Sequence, residues 1–315
     1  MTLAVIDIGT NTTLLLVAGV DPDGSIRTLV YEQRVPRLGR GVDSSGRLDR
    51  AAMERVIAVL LEYRALASPY APALTAVCGT SAVRDAANRG EFARRVHDET
   101  GYDLEVLGGD DEALWTYRGA ISGLRQSGRY TVVDIGGGST EIITGGARGP
   151  ENRISLNIGS VRLTERCLRH DPPTPGELEG AIELTEDEIG RASGFPFAGS
   201  TLVGVAGTAT SLAALAQGLK SFDAASVTGY VLTRERVESL FRRLSEMPGG
   251  DIRKLSGVME GRSDVIVAGA LIAREIMTHF AFNSMIVSER GVRYGIALRE
   301  AERLRRDAGE SRRSP

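Results

Sequence analysis

Cysteine, histidine and tryptophan are scarce in this 315-residue chain, which carries two, three and one of them. Cys78 and Cys167 stand apart, in no C-x-x-C or Cys/His spacing, so a zinc centre is excluded and both read as reduced thiols. His97, His170 and His279 share no spacing and read as structural or surface groups. No stretch reaches ~18 uninterrupted apolar residues. The apolar opening is broken by Asp7 and Asn11 and lacks a basic segment, so it reads as neither leader nor anchor, and a soluble, cytoplasmic protein outside any membrane is expected. An excess of one charge is missing too: 38 Lys and Arg face 41 Asp and Glu. That balance gives no global basic field for nucleic acid, and a polyanionic ligand would need a local basic groove.

What is present is ordinary globular material, 42% hydrophobic and 25% charged, in a chain long enough to predict two domains. Leu3–Ile8 reads as a strand running into Asp7-Ile-Gly-Thr-Asn-Thr-Thr13, and Leu14–Val20 as its hairpin return. A strand at Ile26–Val35, a glycine-rich loop at Leu38–Asp43 and a helix from about Asp49 to Leu66 follow. Strands at Leu74–Cys78 and Leu104–Leu107 then alternate with helices at Gly90–Thr100 and Asp110–Leu124, which is the pattern of an α/β fold. At Tyr130–Ile135 the opening repeats: an apolar strand ends in Asp, a glycine-rich turn follows, and Glu141–Thr144 returns. Further strands are expected near Arg153–Ile158, Leu202–Val205 and Ser284–Ser288. Helices are expected through Gly190, from Gly207 and over Asp264–His279, and the charged tail from Arg303 is expected to fray.

The two related turns carry the functional signal. Asp7-Ile-Gly-Thr-Asn-Thr-Thr and Asp134-Ile-Gly-Gly-Gly-Ser-Thr-Glu each bring a carboxylate on a strand into a tight turn, where glycine lets backbone N–H groups approach an anion and hydroxyls add donors. Each can cradle a phosphate, the first with Thr10, Asn11 and Thr12, the second with Gly136, Gly137, Gly138, Ser139 and Thr140. Asp7, Asp134 and Glu141 set hard oxygen ligands beside those anion sites, the setting in which Mg²⁺ belongs, with Mn²⁺ as the substitute. An Asp-x-Gly turn taken alone is equally well a hairpin tip, whereas two copies 127 residues apart weigh toward function.

The paired loops resemble the phosphate motifs of the actin, sugar-kinase and heat-shock-chaperone superfamily. Within it, the chain resembles the exopolyphosphatase and guanosine-pentaphosphate phosphatase branch. The matching segments are Gly79-Thr-Ser-Ala-Val-Arg84, Leu107-Gly-Gly-Asp-Asp-Glu-Ala113, Gly159-Ser-Val-Arg162, Gly207-Thr208, Arg262-Ser-Asp-Val-Ile-Val-Ala-Gly269 and Ser288-Glu-Arg-Gly-Val-Arg-Tyr-Gly295. The resemblance implies two ribonuclease-H-like domains with the active site in the cleft between them. They are placed at 1–125 and 126–296, with a C-terminal helix over about 297–315 that can pack back on the first. It also implies a dimer, and hydrolysis of inorganic polyphosphate from its end. Guanosine pentaphosphate or nucleoside triphosphates are alternative substrates, and phosphotransfer or non-catalytic sensing are rival functions.

On this resemblance Glu112 is the candidate base that takes a proton from the attacking water, its alternative being a plain first-turn helix acid. The branch usually has Ser-Gly-x-Glu-Glu-Ala here, so Asp111 is a departure while Glu112 is retained. Asp134 and Glu141 would hold the metal, with Asp7 near by. Arg84 would reach terminal phosphate oxygens, against the commoner fate of a surface arginine. Gly207 and Thr208 would add donors at a helix start, and Arg162, Arg290 and Arg293 would extend a positive track along the polyphosphate. Trp115 reads as packing.

Overall fold

The computed structural model describes residues 1–124, 128–255 and 261–311. It contains two compact units, one made of Met1–Gly119 with Val292–Pro315 and the other of Ala120–Gly291. The boundary expected at 125 and 126 lies outside the described residues.

In the first unit five strands, β1 (Thr2–Ile8), β2 (Thr13–Val20), β3 (Ile26–Arg34), β4 (Leu74–Gly79) and β5 (Leu104–Val106), form one sheet in the order β3-β2-β1-β4-β5. β1 pairs antiparallel with β2 and parallel with β4. Its side chains alternate between two helical layers. Ala4, Ile6 and Ile8 pack with Met53, Val56 and Leu60 of the Arg50–Ala67 helix, while Leu3 and Val5 pack with Tyr294, Ile296 and Ala297 of the Val292–Ser311 helix. Burial on both faces explains why β1 reads as a nearly continuous apolar run. Asp7 falls on the face of Leu3 and Val5, toward the C-terminal helix. Asp49 caps the Arg50 helix, its carboxylate accepting from the Ala52 amide at 2.9 Å.

The tail differs from expectation. Helix continues from Val292 through Ser311, beyond the Arg303 at which fraying was expected. Leu304 packs on the apolar face beneath it, Arg303 pairs with Glu300, and Arg305 donates to the Asp21 carbonyl at 2.6 Å. The charged composition signals a solvated outer face, while Ala297, Ala301 and Leu304 lie on the docked one.

The second unit holds β6 (Arg129–Ile135), β7 (Thr140–Gly146), β8 (Gly149–Leu156), β9 (Ser200–Val205), β10 (Val231–Thr233) and β11 (Ser284–Val287), ordered β10-β11-β9-β6-β7-β8. Read outward from β8, this repeats the first unit with a meander of three strands and then a parallel neighbour. Both units therefore have the ribonuclease-H-like arrangement within an α/β fold. Its core surrounds the strongly apolar Ile266–His279 helix. The sequence reading missed the Arg234–Ser245 helix, whose charged residues mask Val237, Leu240, Phe241 and Leu244 at helical spacing, all buried. Among the described residues no helix is long and apolar enough to cross a membrane.

Candidate active site

The two turns fold alike. In the first, the Gly9 amide donates to the Thr12 carbonyl at 2.9 Å; in the second, the Gly136 amide donates to the Ser139 carbonyl at 3.0 Å. The carbonyl just before each glycine is held by the segment that follows the parallel neighbour strand. The Thr80 amide donates to Ile8 O, and the Thr208 hydroxyl to Ile135 O, both at 3.2 Å.

Around the second turn, the carbonyls are taken up by the segment that follows β8. Gly136 O accepts from the Ser160 amide at 2.9 Å, and Gly137 O accepts from the amides of Val161 and Arg162 at 2.8 and 3.0 Å. The Ser160–Cys167 helix thus spends its first-turn donors on the loop. Among the described residues no hydrogen bond engages the amides of Gly137 and Gly138 or the Ser139 hydroxyl, which remain suited to an anion. The close approach requires Gly159, where a Cβ would stand 2.5 Å from Gly137 O.

A single row across the sheet carries the polar groups. Asp134 on β6 stands directly opposite Glu141 on β7, which stands opposite Ser155 on β8. The Ser155 hydroxyl donates to Glu141 Oε1 at 2.6 Å and orients that buried carboxylate. Ser155 went unnoticed in the sequence, although its place in the β8 alternation was the available signal.

In the first unit Asp7 is 7% exposed, and its Oδ1 has no hydrogen-bond partner among the described residues. Burial pushes its pKa up to about 6, opposed by the nearby Arg293. Thr10, Asn11 and Thr12 are buried, with the Gly39 amide on Thr10 O at 2.7 Å and the Arg37 amide on Asn11 O at 3.1 Å. Glu112 lies in the first turn of the Gly109–Ile121 helix, 6% exposed. Its Oε2 accepts from Arg84 Nη1 at 2.7 Å, and the same nitrogen donates to Leu107 O at 3.1 Å.

Of the arginines expected to form a track, two are buried. Arg162 and Arg293 are 7% and 5% exposed, Arg293 stacked 4.6 Å from the ring centre of Tyr31. Arg290 lies beside Ser122 and Glu289. Gly207 opens the Ala206–Gln217 helix against the Arg262 guanidinium, which lies so close that a Cβ would meet its Cζ at 2.3 Å. Sequence reasoning gave Arg262 no role.

The fit to Mg²⁺ is uneven. The trio of Asp7, Asp134 and Glu141 expected to hold Mg²⁺ is divided between the two units, and among the described residues there is no group of three or more His, Cys, Asp or Glu that could hold a metal ion. Within the second unit, the adjacent Asp134 and Glu141 fit a cation that takes one or two carboxylates and keeps its waters.

The family model for the Ppx/GppA phosphatase family matches residues 16–304. The chain belongs to that family. It is 36% identical to exopolyphosphatase 2 of Mycobacterium tuberculosis, over 94% of this chain and 97% of the relative. It is 28% identical to a guanosine-5'-triphosphate,3'-diphosphate pyrophosphatase of Vibrio atlanticus, over 96% of this chain and 60% of that one. A crystal structure of the Aquifex aeolicus member of the Ppx/GppA family superposes with a TM-score of 0.81 at 34% identity, covering 96% and 98% of the two chains. These similarities make the chain a Ppx/GppA phosphohydrolase.

Proposed function

We propose that this phosphohydrolase releases terminal orthophosphate from inorganic polyphosphate with Mg²⁺ as cofactor. The observation that carries the reading is the buried Glu112 carboxylate, held by Arg84 at the start of a helix in a chain that also has two phosphate-type turns. Water attacks the terminal phosphorus, the bridging P–O bond breaks toward the remaining chain, and Glu112 takes the water's proton. The amides of Gly137 and Gly138 and the hydroxyls of Ser139 and Thr10 bind phosphoryl oxygens, which favours the charge gained in the transition state. Asp134 and Glu141 hold the cation, with Ser155 fixing the orientation of Glu141. When bound, Mg²⁺ neutralises phosphate oxygens.

Polyphosphate is favoured over a nucleotide because the relative matched at 36% over nearly its whole length is an exopolyphosphatase, against 28% for the guanosine-nucleotide enzyme. The test is orthophosphate release from short polyphosphate, long polyphosphate, guanosine pentaphosphate and ATP at equal phosphate concentration, with and without Mg²⁺. The reading expects polyphosphate to be cut fastest and only with the metal. Rapid cleavage of guanosine pentaphosphate with polyphosphate left intact would transfer the chain to the alternative substrate.

A further inference from the structure

We propose that Arg84 is a positioning residue for Glu112 and does not bind the phosphates of the substrate. The inference rests on the reading of Glu112 as the base. Arg84 lies in the short Ser81–Asp85 helix directly after β4, while Glu112 follows the Gly108-Gly109 turn after β5. Its Nη1 binds both sides of that turn, Leu107 O before it at 3.1 Å and Glu112 Oε2 beyond it at 2.7 Å.

The backbone of the turn is braced by the same strand pair. The Leu107 amide donates to Gly79 O at 2.9 Å, and the Glu112 amide to Gly108 O at 2.9 Å. Arg84 is itself anchored, because its carbonyl accepts from Arg89 Nη1 at 2.9 Å. With main chain fixed at both ends, the guanidinium determines where the carboxylate points.

Two features argue against a phosphate clamp. The guanidinium is already flanked by two carboxylates, Glu112 at 2.7 Å and Asp85 at 3.9 Å from its Nε, which cancels much of its attraction for a polyanion. Its side chain is three-quarters covered, and a buried carboxylate such as Glu112 needs a compensating cation to remain charged and usable as a base. A glutamate has several rotatable bonds, and pinning Oε2 fixes the plane in which Oε1 lies.

A double-mutant cycle tests this. Arg84→Met and Glu112→Gln are made singly and together, and kcat, KM and equilibrium binding of polyphosphate are measured, or of whichever phosphoanhydride in the substrate panel is cut fastest. Arg84→Met is expected to lower kcat by about 100-fold, the scale of a misplaced catalytic group, with binding unchanged. In the Glu112→Gln background it should add nothing, since a residue that acts only through Glu112 has nothing left to position. Arg84→Lys should recover part of the rate, because one ammonium can still meet Glu112.

Multiplicative losses in the double variant, or binding weakened by roughly tenfold or more in Arg84→Met, would make Arg84 a phosphate ligand and overturn the inference while leaving Glu112 as the base. Full activity of Glu112→Gln would remove both readings at once. Where thermal melting shows Arg84→Met unfolded, Arg84→Gln replaces it in the same cycle.

Discussion

The two units build the same turn on the same strand pair and surround it with opposite chemistry. In the second unit the row through the turn's aspartate reads Ser155, Glu141, Asp134 and Val205; in the first it reads Gln33, Leu14, Asp7 and Cys78. Asp134 therefore has a second carboxylate for its neighbour, itself oriented by a hydroxyl, the pair to which the proposed function assigns the cation. Asp7 has Leu14 and a buried thiol, and the cost of that burial shows in its raised pKa. A conserved backbone device fixes where a carboxylate stands, while the residue across the strand decides what it can do. The first unit adds a buried glutamate, Glu112, held by Arg84.

The largest effect that sharpens this contrast is in the first unit. Glu112→Gln should lower kcat by about 10²–10⁴-fold, the usual worth of a general base, with polyphosphate binding kept. Phosphate-release assays and equilibrium binding check it, and an unimpaired variant would leave the first unit without its catalytic group.

Next comes the cost of isolating Asp7. Its pKa stands at about 6 folded against an ordinary 3.8, a rise of about 2 units at about 1.4 kcal/mol each. An acid that holds its proton more tightly in the native state destabilises the fold as pH rises. The penalty is absent below about pH 3.8, grows up to about pH 6 and is complete above it. Asp7→Asn should thus stabilise the protein by up to about 3 kcal/mol at pH 7.5, with little gain at pH 4 and with activity reduced. Denaturant melts across that range measure it, and a pH-independent difference would place the proton elsewhere.

A comparable loss follows from Gly159→Ala. The new Cβ would press on the fixed backbone of Gly137, costing about 1–3 kcal/mol of stability and displacing the second turn's amides. Thermal melting and phosphate affinity report the two consequences. Glu141→Gln is milder, raising the Mg²⁺ concentration for half-maximal activity by about 10-fold through loss of one charged ligand. An unchanged metal titration would break the assignment of the cation to the second unit. The smallest effect belongs to Gly207→Ala, below about 1 kcal/mol, since the obstacle there is the far end of the Arg262 side chain, which can swing aside.

Much of this was legible in the chain itself, through residues whose role is local. The apolar run of β1, the glycines of the two turns, the aspartates that precede them and the echo 127 residues later follow from strand and turn chemistry, which acts over a few residues. Glu112 could be named from its motif, and Arg84 likewise, while the hydrogen bond between them could not. The helix at Arg234–Ser245 and the docked tail beyond Arg303 escaped notice because charged outer faces dominate their composition.

By itself the sequence determined that the chain is α/β, that it is built from two related halves, and that each half places a carboxylate at the end of a strand beside a glycine-bearing turn. The tertiary structure decided which groups meet: Glu141 with Ser155, Arg84 with Glu112 and Leu107, Gly159 against Gly137, and Arg293 with Tyr31. Those pairings depend on strand register and on helices returning from tens or hundreds of residues away. Side-chain partners are set by distance in space and by exclusion of water, neither of which is written in local spacing.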